Sequence, residues 1–273
     1  MTTAAPRVGR DGRLALTFER RGDRTVLTRC GYTLPLQVLA PLAIDDAAAI
    51  VSVLNPTGGL VGGDRLRLDV QVDADARACL TTPSATKVYR TTTGPALQQV
   101  ALRLASGAQL EWVPDHAILF AGSALCQTLE AEVAEGAALV VVDAFAAGRV
   151  ARGETWRFAL LDSTLSIRDA RGRLLHDRLV LSDGGPRGLG ITEGRSYFAT
   201  IVVVADAGIA AFAEAVTAID GGVHVGVGLL PRRGAVVRCL AADAPALAEA
   251  IEGVWGAARR EVLKRSPLAL RKS

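Results

Sequence analysis

Residues 65–72 read Arg-Leu-Arg-Leu-Asp-Val-Gln-Val, and along this stretch polar and apolar side chains alternate without a fault. Successive side chains of a β-strand point to opposite faces, so the four apolar residues would share one face and the polar residues the other. The stretch therefore predicts a half-buried strand.

Similar short runs, alternating or β-branched, recur through the first two-thirds of the chain. Turn-forming residues separate them, for example at 55–59 and 106–107, at about the spacing of consecutive strands. We find no repeat of fixed period. If the chain forms a solenoid, its coils must therefore be irregular. The predicted strands are 14–18, 25–30, 50–54, 65–72, 77–81, 97–104, 109–113, 125–133, 139–143, 155–161, 165–168 and 174–181.

The pattern of short strand-like runs ends at 184–186, a Gly-Gly-Pro turn, and helical patterns appear after it. Apolar residues at helical spacing predict a long helix, and Asp243 before Pro245 suits its start. The predicted elements are a strand at 197–205, a helix at 208–219, a hairpin of 223–230 and 235–240, and a helix at 245–264.

These patterns predict a mainly β protein with a small C-terminal α+β segment. A single domain would span residues 14–265, with a β body at 14–183 and a closing segment at 195–265. The stretches 1–13 and 266–273 would be flexible tails.

Composition excludes several classes of protein. Half of the 273 residues are hydrophobic and 22% are charged, which argues against disorder and collagen-like structure. The net charge is +3, and basic and acidic residues are mixed along the chain, so we expect no nucleic-acid binding. Charged residues interrupt every apolar stretch, and 1–13 lacks an apolar segment, so neither a membrane span nor a secretory signal is expected.

The four cysteines, Cys30, Cys79, Cys126 and Cys239, lie far apart without a Cys-x-x-Cys pair. This spacing argues against a zinc ribbon and against a dense disulfide framework. We interpret them as reduced thiols in a reducing cytoplasm.

No local motif requires catalysis or a tightly held metal. The three histidines are scattered, and the nearest group of potential ligands is Glu111, Asp115 and His116. The glycine cluster at 58–64 lacks the spacing of a phosphate-binding or dinucleotide-binding loop and predicts tight turns instead. The hydroxyl-rich stretch 81–94 is typical of a solvated edge, a wet passage or a partner-binding face.

Four blocks of this sequence resemble, in order and spacing, the urease accessory proteins called UreD or UreH. They are NPTGGLVGGD at 55–64, TTPSATKVYR at 81–90, EWVP with ILF at 111–120, and GR with RGE at 148–154. The similarity runs from about Leu14 to the C-terminal helix. Ser84 stands where the family usually has glycine, and Asp115-His116 where Gln-Glu is common. The motif positions that we expect to be structural are Gly58, Gly59, Gly62, Gly63, Lys87, Tyr89, Arg90, Gly148, Arg149 and Gly153.

The resemblance implies an irregular right-handed β-helix-like body with two helices near the C-terminus. It also implies a non-catalytic, cytoplasmic chaperone and scaffold. Such proteins bind apo-urease, recruit UreF and through it the GTPase UreG, and help to deliver nickel to the urease site. A water-filled passage through the protein has been proposed for the family as the nickel route.

A conduit must release Ni²⁺ as well as bind it, so oxygen ligands along a path suit it better than a closed His/Cys cage. The family-like blocks place four candidates for such a path: Asp64, Thr82, Glu111 and Glu154. We therefore expect no permanently bound cofactor, with nickel only in transit.

The C-terminal segment is the predicted partner interface, because Trp255 and the Arg259-Arg260 pair are favoured anchors of interfaces. The alternative is that Trp255 belongs to the core.

Two further functions stay open from the residues alone. One is a β-solenoid hydrolase or lyase acting on carbohydrate, with paired carboxylates drawn from Glu111, Asp115 and Glu154. The other is a sugar-binding or protein-binding β module without a role for nickel.

Overall fold

A computed structural model describes residues 11–42, 48–182, 184–186, 191–219 and 222–270 of the protein. The chain is mainly β, and its described residues include two α-helices, α1 (Ile209–Thr217) and α2 (Ala244–Glu261), and one 3-10 turn at Val150–Arg152. The strands are β1 (Asp11–Arg21), β2 (Arg24–Thr33), β3 (Gln37–Val38), β4 (Ala49–Leu54), β5 (Arg65–Val72), β6 (Arg77–Thr81), β7 (Thr86–Val88), β8 (Ala96–Leu104), β9 (Gln109–Val113), β10 (Ala117–Leu119), β11 (Ala124–Val133), β12 (Ala138–Ala146), β13 (Leu160–Asp169), β14 (Gly172–Ser182), β15 (Tyr197–Val204), β16 (His224–Leu229) and β17 (Ala235–Ala241).

The strands form two sheets. The first sheet has the order β14-β13-β11-β8-β5-β1-β2, and its five central strands are parallel. The second has the order β16-β17-β15-β12-β9-β6-β4-β3, with β4, β6, β9 and β12 parallel and β7 and β10 attached beside β12.

From β4 to β13 the chain crosses repeatedly between the two sheets. Strands β5, β8, β11 and β13 belong to the first sheet, whereas β4, β6, β9 and β12 belong to the second. Each pair of crossings adds one coil, and about four coils stack into an irregular solenoid. Parallel neighbours therefore come from stretches that are well separated in sequence, as for Leu66 beside Gln98.

The two sheets enclose a first core, and the helices cover a second. In β5 the burial alternates as the sequence predicts, with Leu66, Leu68, Val70 and Val72 facing the first core. The opposite face of the second sheet packs against α1 and α2 to form the second core, which includes Phe212. Strands β12 and β15 are buried on both faces, which explains why nearly all of their residues are apolar.

Helix α2 begins as predicted. The side chain of Asp243 accepts a hydrogen bond from the backbone N–H of Ala246 at 2.8 Å, with a proline in the first turn. Neither helix in the described part of the chain is both long and apolar enough to cross a membrane.

Most predicted strands are confirmed within a few residues, but the strand predicted at 155–161 is wrong. Residues 155–159 form a loop in which Trp156 has φ 59°, and β13 begins only at Leu160.

The boundaries of the two predicted tails also differ from the structure. Residues 11–13 belong to β1, and Leu268 and Leu270 pack against the second core. The remaining tail residues, 1–10 and 271–273, lie outside the described residues.

Candidate functional site

A cavity lies within the first core, between the two sheets. Its volume is about 210 Å³, enough for several water molecules at about 30 Å³ each. Core side chains such as Leu68 and Phe145 form part of its wall, but polar side chains from both sheets reach it as well. The polar lining residues are Asn55, Thr82, Ser84, Thr86, Lys87, Gln98, Asp115, Gln127, Thr128 and Asp143.

Asp143 places a carboxyl group inside this core. Its neighbours on the same face of β12, Val141 and Phe145, are buried in the apolar cluster. Gln127 Nε2 donates to Asp143 Oδ1 at 2.6 Å, and Ser163 Oγ donates to Oδ2 at 2.8 Å. Both carboxylate oxygens therefore accept hydrogen bonds from the facing sheet.

The partners of Asp143 form a row across the first sheet. Gln98, Gln127 and Ser163 occupy register-paired positions on β8, β11 and β13, and all three replace apolar residues in an alternating pattern. Gln127 Nε2 also lies 3.0 Å from Ser163 Oγ. We call Gln98, Gln127, Ser163 and Asp143 the polar layer, because they form one polar level through an otherwise apolar core.

Burial raises the pKa of the Asp143 carboxyl to about 6. The hydrogen bonds from Ser163 and Gln127 oppose this rise, while the negative charge of Asp177 adds to it. Asp143 therefore changes its charge close to neutral pH, and at pH 7 it is mostly a carboxylate inside the core.

Exposed residues border the cavity on one side. Ser84 lies on the loop that follows β6, Lys87 lies on β7, and Gly58 lies on the loop that follows β4. The loop after β6 is held to neighbouring backbone, since the hydroxyl of Thr82 accepts a hydrogen bond from the N–H of Asp115 at 2.9 Å. The exposed residues mark the mouth of the cavity.

Gly59 sets how closely the loop after β4 approaches β7. It has φ 153°, and a Cβ at this position would overlap the carbonyl oxygen of Lys87. The neighbouring Leu60 donates its N–H to that same oxygen at 2.7 Å and accepts from the N–H of Tyr89 at 2.8 Å. The glycine is therefore required by the contact between these two segments. Ser84, in contrast, is not among the described residues with positive φ.

The structure does not bring the four predicted path residues together. Thr82 lines the cavity, but Asp64, Glu111 and Glu154 do not. Asp64 is buried in the turn before β5, where its Oδ2 accepts from the N–H of Val61 at 2.9 Å. Glu154 forms an ion pair with Arg149, whose guanidinium also lies 4.5 Å from the ring centre of Phe120.

Glu111 lies on the other face of the second sheet, under helix α2. Arg259 Nη1 donates to its two carboxylate oxygens at 2.6 and 2.8 Å, and Trp255 Nε1 donates to Oε2 at 2.5 Å. Arg259 Nε donates in turn to the carbonyl oxygen of Ser266 at 2.7 Å. Burial raises the pKa of Glu111, and the charge of Arg259 and these hydrogen bonds oppose the rise.

This arrangement changes how the predicted interface residues are interpreted. Trp255 and Arg259 are 5% and 2% exposed, and both bind Glu111, so they are core residues of this structure. Of the three, only Arg260 has an exposed side chain.

Glycines hold the motif at 148–154 in place. Gly148 has φ 142°, and a Cβ there would overlap the carbonyl oxygen of Glu154; Gly153 has φ 69° and ends the 3-10 turn. These glycines bring Arg149 and Glu154 together as an ion pair.

The predicted site residues do not include Asp143, Gln127 or Ser163. Each is a polar residue at an inward position of a strand, as in Leu125-x-Gln127-x-Leu129. A polar residue at a position where the strand alternation predicts an apolar one is visible in the sequence alone. This pattern could have identified all three residues.

Among the described residues, no group of three His, Cys, Asp or Glu side chains is placed to hold a metal ion. The four cysteines are reduced thiols, and burial raises the pKa of Cys239 to about 11. The oxygen atoms that line the cavity belong to carboxyl, amide and hydroxyl groups, and the carboxyl group of Asp143 lies inside the core.

Fold and site together define a class of protein: a non-repeating β-solenoid that encloses a partly polar cavity with a titratable carboxyl group inside it. Comparison with known proteins identifies the family. The family model for the UreD urease accessory protein matches residues 10–273. The chain belongs to this family.

Several curated relatives match over most of their length. Urease accessory protein UreD of Alkalilimnicola ehrlichii is 34% identical over 94% of this chain and 88% of its own. UreD of Deinococcus radiodurans is 34% identical over 96% and 95%, and UreD 2 of Streptomyces griseus is 37% identical over 96% and 93%.

Proposed function

We propose that this chain is a non-catalytic, cytoplasmic urease maturation factor that passes nickel through its internal cavity. In this role it binds apo-urease, recruits UreF and through it UreG, and holds nickel only in transit. Family membership supports the link to urease maturation. The proposed nickel route rests on one observation: Asp143 and its hydrogen-bonded partners lie inside an otherwise apolar core.

The chemistry of the cavity suits a cation in transit. Its side chains offer carboxylate, amide and hydroxyl oxygens, and these bind Ni²⁺ less tightly than clustered imidazoles or thiolates do. An ionised Asp143 attracts a cation into a core that otherwise excludes charge. Asp115 and Lys87, which carry opposite charges, both line the cavity as well.

Of the four residues predicted for the path, Thr82 stays in this proposal, because it lines the cavity. Glu111 and Glu154 are each bound to an arginine. The same two ion pairs weigh against the carbohydrate hydrolase or lyase, because they engage two of the three carboxylates considered for it.

The test is nickel loading of apo-urease by purified complexes that contain either the natural chain or Asp143→Asn. We expect the variant to load nickel at least about tenfold more slowly, which corresponds to about 1.4 kcal/mol in barrier height. The matched control is Asp162→Asn, one position from Ser163 but on the outer face of the same sheet, where Asp162 pairs with Arg178.

Assembly of both variant complexes is checked by size-exclusion chromatography. Equal loading rates for the natural chain and Asp143→Asn, in complexes of equal composition, would refute the nickel route.

A further inference from the structure

The polar layer does not end at Asp143 but extends toward the far edge of the second sheet. Asp143 pairs in register with Thr200 on β15, and Thr200 pairs with Arg238 on β17. Arg238 Nη1 donates to Thr200 Oγ1 at 2.9 Å. Polar side chains therefore occupy three adjacent strands at one level.

The first sheet contributes a matching acid at this edge. Arg238 Nη2 donates to Asp177 Oδ1 at 2.7 Å, and Asp177 lies on the inward face of β14. The negative charge of Asp177 acts on Asp143, so the two carboxylates belong to one electrostatic environment. We call the contact between Arg238 and Asp177 the outer ion pair.

The outer ion pair stands at the surface, whereas Thr200 beneath it is buried. The side chain of Arg238 is 52% exposed and that of Asp177 is 21% exposed, while Thr200 is 9% exposed. On the other side of Arg238, the register-paired residue of β16 is Gly226, where an added Cβ would meet nothing within 4 Å. Within the described part of the chain, the Arg238 guanidinium therefore covers the outer end of this row of polar side chains, between β15 and the sheet edge.

We propose that the cavity has a second opening at this edge and that the outer ion pair closes it. This inference rests on the proposed function, which requires a cation to leave the cavity as well as enter it. Release of Arg238 into solvent would cost little, because ion pairs at the protein surface contribute little to stability. It would leave Thr200, Asp177 and Asp143 as a line of oxygen ligands from the core to the surface.

The opening is tested by the accessibility of the buried position beneath it. In full-length Thr200→Cys protein, the rate of modification by a small cationic methanethiosulfonate is measured by mass spectrometry of the peptide that carries position 200. We expect Arg238→Ala to raise this rate at least about tenfold. Asp177→Asn, which leaves Arg238 without its carboxylate, should raise it in the same direction.

The matched control is Arg178→Ala in the same Thr200→Cys background. Arg178 forms an equivalent pair with Asp162, at 2.8 and 2.9 Å, but on the outer face of the first sheet. We expect this control to change the rate less than twofold. Unchanged modification in both Arg238→Ala and Asp177→Asn, or an equal rise in the control, would overturn the proposal.

Nickel loading separates this inference from the function on which it rests. With limiting nickel, the Arg238→Ala chain should load apo-urease at least about threefold faster than the natural chain. If modification of position 200 accelerates but loading does not, the second opening stands and nickel passage through it is refuted.

Discussion

Asp143 illustrates how a single residue in an apolar environment acquires unusual chemistry. A carboxylate in this core loses its hydration, and the two hydrogen bonds from Gln127 and Ser163 only partly replace it. The result is a pKa of about 6, which brings its titration into the range of ordinary buffers.

Stability should therefore depend on pH through Asp143. Its pKa in the folded chain, about 6, lies above the value of about 3.9 in an unfolded chain, so the folded state binds the proton more tightly. This residue's contribution to the free energy of unfolding is full below about pH 4 and is lost as the pH rises through 6. The loss amounts to at most about 3 kcal/mol, at about 1.4 kcal/mol per pKa unit.

Urea unfolding of the natural chain and Asp143→Asn between pH 4.5 and 7.5 measures this effect. The variant should gain stability relative to the natural chain as the pH rises. Asp162→Asn should show almost no trend in this range, because Arg178 lowers the pKa of Asp162 and its titration therefore lies below the range. A difference between Asp143→Asn and the natural chain that stays constant with pH would contradict the assignment.

At the scale of elements, the contact that attaches α2 to the solenoid is buried and ionic. Glu111 on β9 and Arg259 on α2 are both nearly inaccessible, and Trp255 adds a third member. Removal of one partner from a buried pair leaves an uncompensated charge, which costs about 3–5 kcal/mol.

We therefore expect Glu111→Ala to lower the free energy of unfolding by about 3–5 kcal/mol. The double variant Glu111→Leu with Arg259→Leu should lose much less stability than the sum of the losses in the single variants Glu111→Leu and Arg259→Leu, because the double variant leaves neither charge alone. The control is Glu132→Ala, which breaks an exposed pair with Arg168 and should cost less than about 1 kcal/mol. Additive losses in the double variant, measured by chemical unfolding, would argue against a coupled pair.

At the scale of the whole molecule, the two cores share one sheet. Strand β12 gives Val141 to the first core and Val142 to the second, so neither core can lose its packing without affecting the other. A single domain at residues 14–265 stays a prediction, and unfolding tests it.

Thermal unfolding of the full chain should accordingly show one transition. In scanning calorimetry we expect the calorimetric and van't Hoff enthalpies to agree, as they do for a cooperative unit. Two resolved transitions, with the α-helical signal lost separately from the β signal, would divide the molecule into independent units.

The local sequence determined the strands, because alternation of side chains is a property of neighbouring residues. Residues 65–72 predict β5 without knowledge of any partner, and Asp243 with Pro245 predicts the start of α2. Where the alternation overlapped a turn, at 155–159, the prediction failed, since a positive φ at Trp156 is set by the surrounding loop.

Which side chains meet was decided only by the tertiary structure. Glu111 and Arg259 are 148 positions apart, and no local pattern shows that α2 will cover the face of β9 on which Glu111 lies. Likewise, the register of the solenoid brings Gln127, Ser163 and Asp143 together from three strands on two sheets. The sequence determined which positions face inward; the stacking of the coils determined what they face.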